Sequence, residues 1–268
     1  MTLETFNARR QFLKTAGLSL AGLALANPLL TLVSPSAQAA STKTLKAPPK
    51  KPFEPLSIDI ATGALVAKSF TERFARIEGI SANQLAQHNK LYEGYVKKHN
   101  SITQQLAVFT PEQLEDANAT YHVFRELTHE QSFALNGVVL HELYFEGMGP
   151  AADAARQPSA FLNSLLVKRF GSLELYMAHL MALGKASRGW AMTGYNLRDG
   201  RLHNYGLDMH DIGMPAHVIP VLVLDVYEHA YMIDFGTNRG DYLKAFATNI
   251  DWQQVEARLA QAGHSGLG

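Results

Sequence analysis

The sequence predicts an α+β fold: an N-terminal long helical hairpin followed by a C-terminal α/β part with a small antiparallel three-stranded sheet. Three observations predict it. Two long stretches of the first half, 82–105 and 117–145, carry apolar residues near helical spacing. A strand–turn–strand pattern then runs through 189–195, Arg198-Asp199-Gly200 and 201–205. An apolar run over 218–224 follows it and stops at Asp225.

Taken in order, the chain begins with an address. Arg9-Arg10-Gln11-Phe12-Leu13-Lys14 precedes an apolar run over 15–33, and Ala37-Gln38-Ala39 closes it. This is a charged region, an apolar region and a small-x-small cleavage site. The paired arginines resemble the twin-arginine export signal. A membrane anchor is the alternative, but Pro28 interrupts the run. Residues 1–39 are therefore read as a twin-arginine-type signal peptide, and the protein as periplasmic or secreted, with the export machinery as a partner. Residues 40–65 read as a tether, with Lys43, Lys46, Lys50 and Lys51 among Pro48, Pro49, Pro52 and Pro55.

The helical hairpin is assigned to 66–150. Ser81 reads as an N-cap for the first long helix, where Gln84-Leu85, His88, Leu91-Tyr92, Tyr95-Val96 and His99 recur near helical spacing. Pro111 opens a short helix, and the second long helix ends in Gly147-Met148-Gly149-Pro150. The C-terminal α/β part spans 151–268. Helices are expected over 158–169 and 172–183, then the strands, then helices over 239–249 and 252–262.

Composition narrows the function. The 268 residues hold 24 Lys+Arg, 24 Asp+Glu, 11 His and no Cys. The lack of Cys excludes disulfides, thiolate-held metals and a thiol nucleophile. Zero net charge argues against a general nucleic-acid binder. Loss of the first 39 residues would take Glu4, Arg9, Arg10 and Lys14 away and leave 229 residues, with 21 basic against 23 acidic side chains. The many histidines leave nitrogen–oxygen metal ligation open.

Asp225-Val226-Tyr227-Glu228-His229 is the densest chemical signal. A carboxylate ending a buried strand needs a cation or hydrogen-bond donors. Either Asp225 and His229 turn towards one metal, or Asp225 caps the next helix with His229 on its face. His141 sits among apolar neighbours on the second long helix, and His88 on the first. Together the four make a three-histidine, one-carboxylate set suited to a first-row metal such as iron or manganese.

These residues resemble a family. Asp225-Val226-Tyr227-Glu228-His229-Ala230-Tyr231, Asn238-Arg239-Gly240-Asp241-Tyr242 and Asp251-Trp252 are similar to the C-terminal signature of iron/manganese superoxide dismutases. Phe170-Gly171-Ser172-Leu173-Glu174 and Gly189-Trp190-Ala191 extend the likeness, which covers roughly residues 70 to 262. It implies His88, His141, Asp225 and His229 as ligands of one iron or manganese ion per subunit, with a lean to iron. It implies disproportionation of superoxide to oxygen and hydrogen peroxide by redox cycling of that ion. It also implies a homodimer in which Glu228 of one subunit reaches His229 of the other.

Several positions depart from the family pattern. Tyr92 stands where a second His usually follows the first ligand, and Met232 where a second Tyr is usual; those two residues normally meet across the dimer interface. The gateway tyrosine is Tyr92 or Tyr95, since position 96 is Val96. Gly137 replaces a helix Gln near the metal, which leaves His210 as the donor beside it; the alternative for His210 is a surface-loop histidine. Tyr227, Phe145 and Met192 replace tryptophans, Trp190 remains, and Arg239 matches an arginine near the substrate funnel. These changes also motivate a second reading, a non-catalytic or repurposed metal-binding protein on the same fold.

Overall fold

The computed structural model describes residues 56–264 except Asp153. The leader over 1–39, its cleavage site and residues 40–55 lie outside the described residues. No helix among the described residues is long and apolar enough to cross a membrane.

After a one-turn helix α1 (Thr71–Phe74), the long helix α2 (Ala82–Leu106) begins where Ser81 Oγ accepts the Gln84 N–H at 3.1 Å. Helix α3 (Pro111–Glu115) opens with a reciprocal cap between Thr110 and Gln113. The second long helix, α4, spans Val123–Glu146. It starts later than the sequence pattern indicates because Asn118 Oδ1 accepts the Thr120 and Tyr121 N–H groups, at 3.0 and 3.1 Å, and bends the chain into a turn. Helices α2 and α4 pack side by side as the expected hairpin.

The expected tether is not free over its described part. Ile58 and Leu65 form an antiparallel bridge, and Asn100 of α2 clamps Leu65 with two hydrogen bonds, 2.8 Å from its N–H and 2.9 Å to its carbonyl. Apolar side chains decide this: Leu65 and Phe70 enter the core.

Helices α5 (Ala160–Phe170) and α6 (Leu173–Ala186) start at the side-chain caps Ser159 and Ser172. Strands β1 (Trp190–Asn196), β2 (Arg201–Leu207) and β3 (Val218–Asp225) form one antiparallel sheet in the order β2-β1-β3. The register sets Trp190 opposite both Leu207 and Asp225, so the start of β1 meets the end of β3. A register shift falls at Thr193/Gly194, opposite Pro220, which has no N–H for the ladder. Gly194 is required there, because a side chain would collide with Val218.

A 3₁₀ turn (Glu228–Ala230) and the one-turn helix α7 (Met232–Phe235) follow β3; both are too short to show a period in sequence. Helices α8 (Arg239–Thr248) and α9 (Trp252–His264) close the fold. Helices α4 and α9 pack on β3, and α5 and α6 on β2. The core is continuous from the hairpin to the sheet, through Leu140, Tyr144, Phe145, Trp190, Leu224 and Phe246.

Leu166 of α5 is 1% exposed. Leu166→Ala should lower folding stability by about 2–5 kcal/mol through lost burial and the cavity left behind. Urea unfolding of both proteins checks it, and a loss under about 1 kcal/mol would mean that α5 repacks freely.

Candidate metal centre

The site assembles where the hairpin meets the end of β3. The middle of α2 contributes His88, the C-terminal half of α4 contributes His141, β3 ends on Asp225, and the following turn carries His229. One ligand atom from each lies within 4.8 Å of all the others. The Nε2 atoms of His88, His229 and His141 stand 3.1, 3.2 and 3.6 Å from the same oxygen, Asp225 Oδ2. Ligands about 2.0–2.2 Å from a shared ion stand roughly 3–4.4 Å apart, and the three distances to Asp225 Oδ2 fall in that range.

The donor chemistry fits as well. His141 Nδ1 lies 2.6 Å from the Gly137 carbonyl, which can only accept, so Nδ1 carries the proton. That leaves a lone pair on His141 Nε2, which is buried and has no hydrogen-bond partner among the described residues. A cation amid the four groups would meet both this orphan and the buried carboxylate. The two readings of Asp225 are compatible: Oδ1 accepts the Tyr227 N–H at 2.9 Å and caps the turn, while Oδ2 faces the imidazoles.

Charge follows from burial and pairing. Burial pushes Asp225 upward, but the charge of His229 and hydrogen bonds from His229 and His88 hold it well below the usual carboxylate range. Burial lowers His88, and lowers His141 further. Burial also acts to lower His229, but Asp225 overcomes it and raises that imidazole. Asp225 therefore stays ionised, and His88 and His141 stay neutral, at neutral pH.

The backbone around these groups is tied down by further side chains, of which Tyr242 falls within the C-terminal sequence signature while Gln84 and Tyr144 do not. Gln84 is fully buried; its amide donates to the His229 carbonyl at 2.6 Å and accepts the Ile233 N–H at 3.0 Å. Tyr242 donates to the Asp225 carbonyl at 2.6 Å, and its hydroxyl is 2.9 Å from that of Tyr144. The one available signal is position: Gln84 lies four residues before His88 and Tyr144 three after His141, on the helix faces that carry the histidines.

The two candidate tyrosines separate. Tyr95 packs its ring 5.4 Å from the His141 ring and 4.8 Å from that of His210. Tyr92 is fully buried and turns its hydroxyl away, donating to Glu142 Oε1 at 2.9 Å and accepting the Lys68 N–H at 2.9 Å. A carboxylate and a backbone N–H thus hold the Tyr92 hydroxyl, whereas no such pair holds that of Tyr95 among the described residues. The departure at 137 also gains a reason. A Cβ there would stand 2.9 Å from the Tyr95 ring, so glycine makes the room that Tyr95 fills.

His210 is fully buried, which overturns the surface-loop alternative. Trp190 Nε1–H, only a donor, bonds His210 Nδ1 at 3.0 Å. Nε2 therefore carries the proton of the neutral ring, and this buried N–H has no partner among the described residues. Asn136 holds the His210 carbonyl at 3.1 Å, and Phe133 lies 4.5 Å from the ring. Tyr227, a wall residue in the sequence pattern, stacks 5.1 Å from His229 and stands 5.3 Å from His210. Phe145 and Trp190 pack against His141 at 6.1 and 5.0 Å. Arg239 bonds the Ser187 carbonyl at 2.9 Å and the Tyr231 hydroxyl at 3.2 Å, fastening the end of α6. Its link to the four-residue group runs through Tyr231, stacked on Tyr242.

With this geometry the likeness to known proteins can be weighed. The description "Iron/manganese superoxide dismutases, C-terminal domain" matches residues 158–258. "Superoxide dismutase [Fe]" of Aquifex aeolicus is 39% identical over 187 residues, covering 69% of this chain and 87% of that protein. The chain belongs to the iron/manganese superoxide dismutase family. The "Superoxide dismutase [Fe]" of Cupriavidus metallidurans is 35% identical over 70% of this chain and 92% of its own length. "Superoxide dismutase [Mn] 1" of Halobacterium salinarum is 33% identical, over 65% and 84% respectively. Family members named for iron and for manganese are thus both similar to it.

Burial holds His210 down to about 4. An unfolded-chain histidine takes up a proton near pH 6.5. Stability from keeping His210 neutral is therefore complete above about pH 6.5 and is lost as pH falls towards about 4. His210→Gln should reduce the acid sensitivity of urea unfolding between pH 7 and 4.5. Parallel wild-type and variant curves would remove His210 as a source of that sensitivity.

Proposed function

We propose that this chain is an exported superoxide dismutase that disproportionates superoxide to oxygen and hydrogen peroxide. The observation that carries the reading is the convergence of three imidazole nitrogens on Asp225 Oδ2, in a chain of the iron/manganese family. His88, His141, Asp225 and His229 are the proposed ligands of one iron or manganese ion. When bound, the ion supplies the electron exchange, alternating between its +3 and +2 states. Its identity is read as iron in preference to manganese; the bracketed metal is iron in the A. aeolicus and C. metallidurans relatives.

The protein's own groups handle position and protons. Three neutral imidazoles and one carboxylate leave a divalent ion with net positive charge, which attracts an anion. Asp225 is held by Tyr242 and the Tyr227 N–H, so the carboxylate stays aimed at the imidazoles. Peroxide formation consumes two protons for each superoxide reduced. Tyr95, Tyr227 and His210 supply donors around the site. Burial, reinforced by the Asp225 charge, pushes the Tyr95 phenol up to about 12, so it keeps its proton at neutral pH. The Tyr227 phenol is raised by burial and by Tyr95. His210 presents Nε2–H because Trp190 occupies Nδ1. Of the two candidates, Tyr95 is the proposed gateway residue, and Arg239 adds local positive charge for superoxide.

We further propose a homodimer in which Glu228 meets the partner subunit's His229. Glu228 is exposed, and the His229 side chain is 25% exposed, the most accessible of the four. The twin-arginine-type leader supports a periplasmic or secreted location.

Two outcomes are expected. Chelation of the metal-loaded protein should abolish superoxide consumption, and reloading with iron or manganese should restore it; a stripped protein that keeps full activity would end the reading. Tyr95→Phe should lower turnover by about tenfold, the effect of one lost donor of about 1.4 kcal/mol. Pulse-radiolysis kinetics of the loaded variant checks it, and unchanged turnover would remove Tyr95 from the gateway.

A further inference from the structure

A second buried cluster lies behind the site, and the proposed chemistry does not use it. Lys68 Nζ sits between two carboxylates of α4, 2.8 Å from Glu142 and 2.9 Å from Glu146. Glu146 also accepts Arg258 Nη2 at 3.0 Å, and Arg258 Nη1 donates to the Val221 carbonyl at 3.3 Å. Glu142 accepts the Tyr92 hydroxyl, which in turn accepts the Lys68 N–H. Tyr92 and Arg258 are at most 1% exposed, and Glu142 and Glu146 only 5 and 7%.

We propose that this network is a positioning device for the metal ligands, with Lys68 as the residue on which it turns. The inference rests on the metal-centre reading above. Its attachment points support it. Tyr92 follows His88 by one helical turn on α2, Glu142 adjoins His141 on α4, and Val221 lies four residues before Asp225 on β3. The network therefore fastens all three elements that deliver buried ligands, each within four residues of the ligand.

Lys68 decides the balance. Glu142 and Glu146 stand one turn apart on the same face of α4, and Arg258 reaches Glu146 alone. Without the Lys68 ammonium, two buried carboxylates face each other with one counter-charge between them. The repulsion is relieved by shifting or turning α4, and His141 moves with Glu142. Lys68 comes from the strap that Asn100 clamps at Leu65, so docking of the strap is coupled to ligand geometry. Purely apolar packing at these positions would add stability without fixing the rotation of α2 and α4.

The test uses the full chain loaded with Mn(II). Competition with a chelator gives the affinity, and the electron paramagnetic resonance spectrum of bound Mn(II) reports ligand geometry. Lys68→Met should weaken Mn(II) by about 10–100-fold, as loss of groups that orient ligands does, and alter the spectrum. Lys68→Arg should recover most of the affinity. Tyr92→Phe, which leaves every charge in place, should shift both readouts in the same direction by less; it decides the question if Lys68→Met fails to fold. Leu166→Ala serves as a stability control and should keep wild-type affinity and spectrum. The inference is overturned if Lys68→Met and Tyr92→Phe bind Mn(II) like wild type. It is also overturned if Leu166→Ala weakens binding as much, since affinity would then follow stability alone. A wild-type chain that takes up neither Mn(II) nor iron defeats the metal-centre reading itself.

Discussion

One buried carboxylate oxygen organises the structure. Asp225 Oδ2 is shared by three imidazoles that come from two long helices and a tight turn. A fully buried carboxylate is tolerable only if donors or a cation surround it. That requirement links elements distant in sequence: α2 and α4 must cross at His88 and His141, and β3 must end beside them. The Trp190–Asp225 register places the start of β1 against the same point. Trp190 then bonds His210, so the start of β1 contacts both the strand end that carries Asp225 and the His210 ring.

Around that oxygen, directional polar contacts hold the segments that carry the four groups. Gln84 fixes the turn, Tyr242 fixes the strand end, and the Lys68 cluster ties the helices together behind the site. Each contact is directional, whereas the surrounding apolar packing of Phe145, Leu140 and Leu224 is not. A redox site benefits from the combination. Packing excludes water, and the polar ties keep ligand geometry constant while charge changes.

Much of this was legible in the sequence because it depends on local chemistry. Ser81, Pro111, Pro158 and Ser172 announce helix starts, and the abrupt end of an apolar run at Asp225 announces the site. The start of α4 was not legible, because Asn118 competes for backbone N–H groups that periodicity assigns to a helix. Nor could spacing alone separate Tyr92 from Tyr95. Both lie within about 40° of the His88 face, and the decision belongs to Glu142, fifty residues away in sequence. The turn over 58–65 was hidden for a similar reason: its lysine- and proline-rich approach reads as tether, and it docks through Asn100, far off in sequence, and the burial of Leu65.

Gly137 carries a wider implication. Its missing side chain is the space occupied by the Tyr95 ring, and that ring packs on His210 from another segment. Positions 95, 137 and 210 are thus coupled in space through one ring. Any side chain grafted at 137 meets the Tyr95 ring at its Cβ, so it is accommodated only if that ring shifts. Redesign at 137 therefore has to treat the placement of the Tyr95 ring and, through its packing, of His210 as part of the same change.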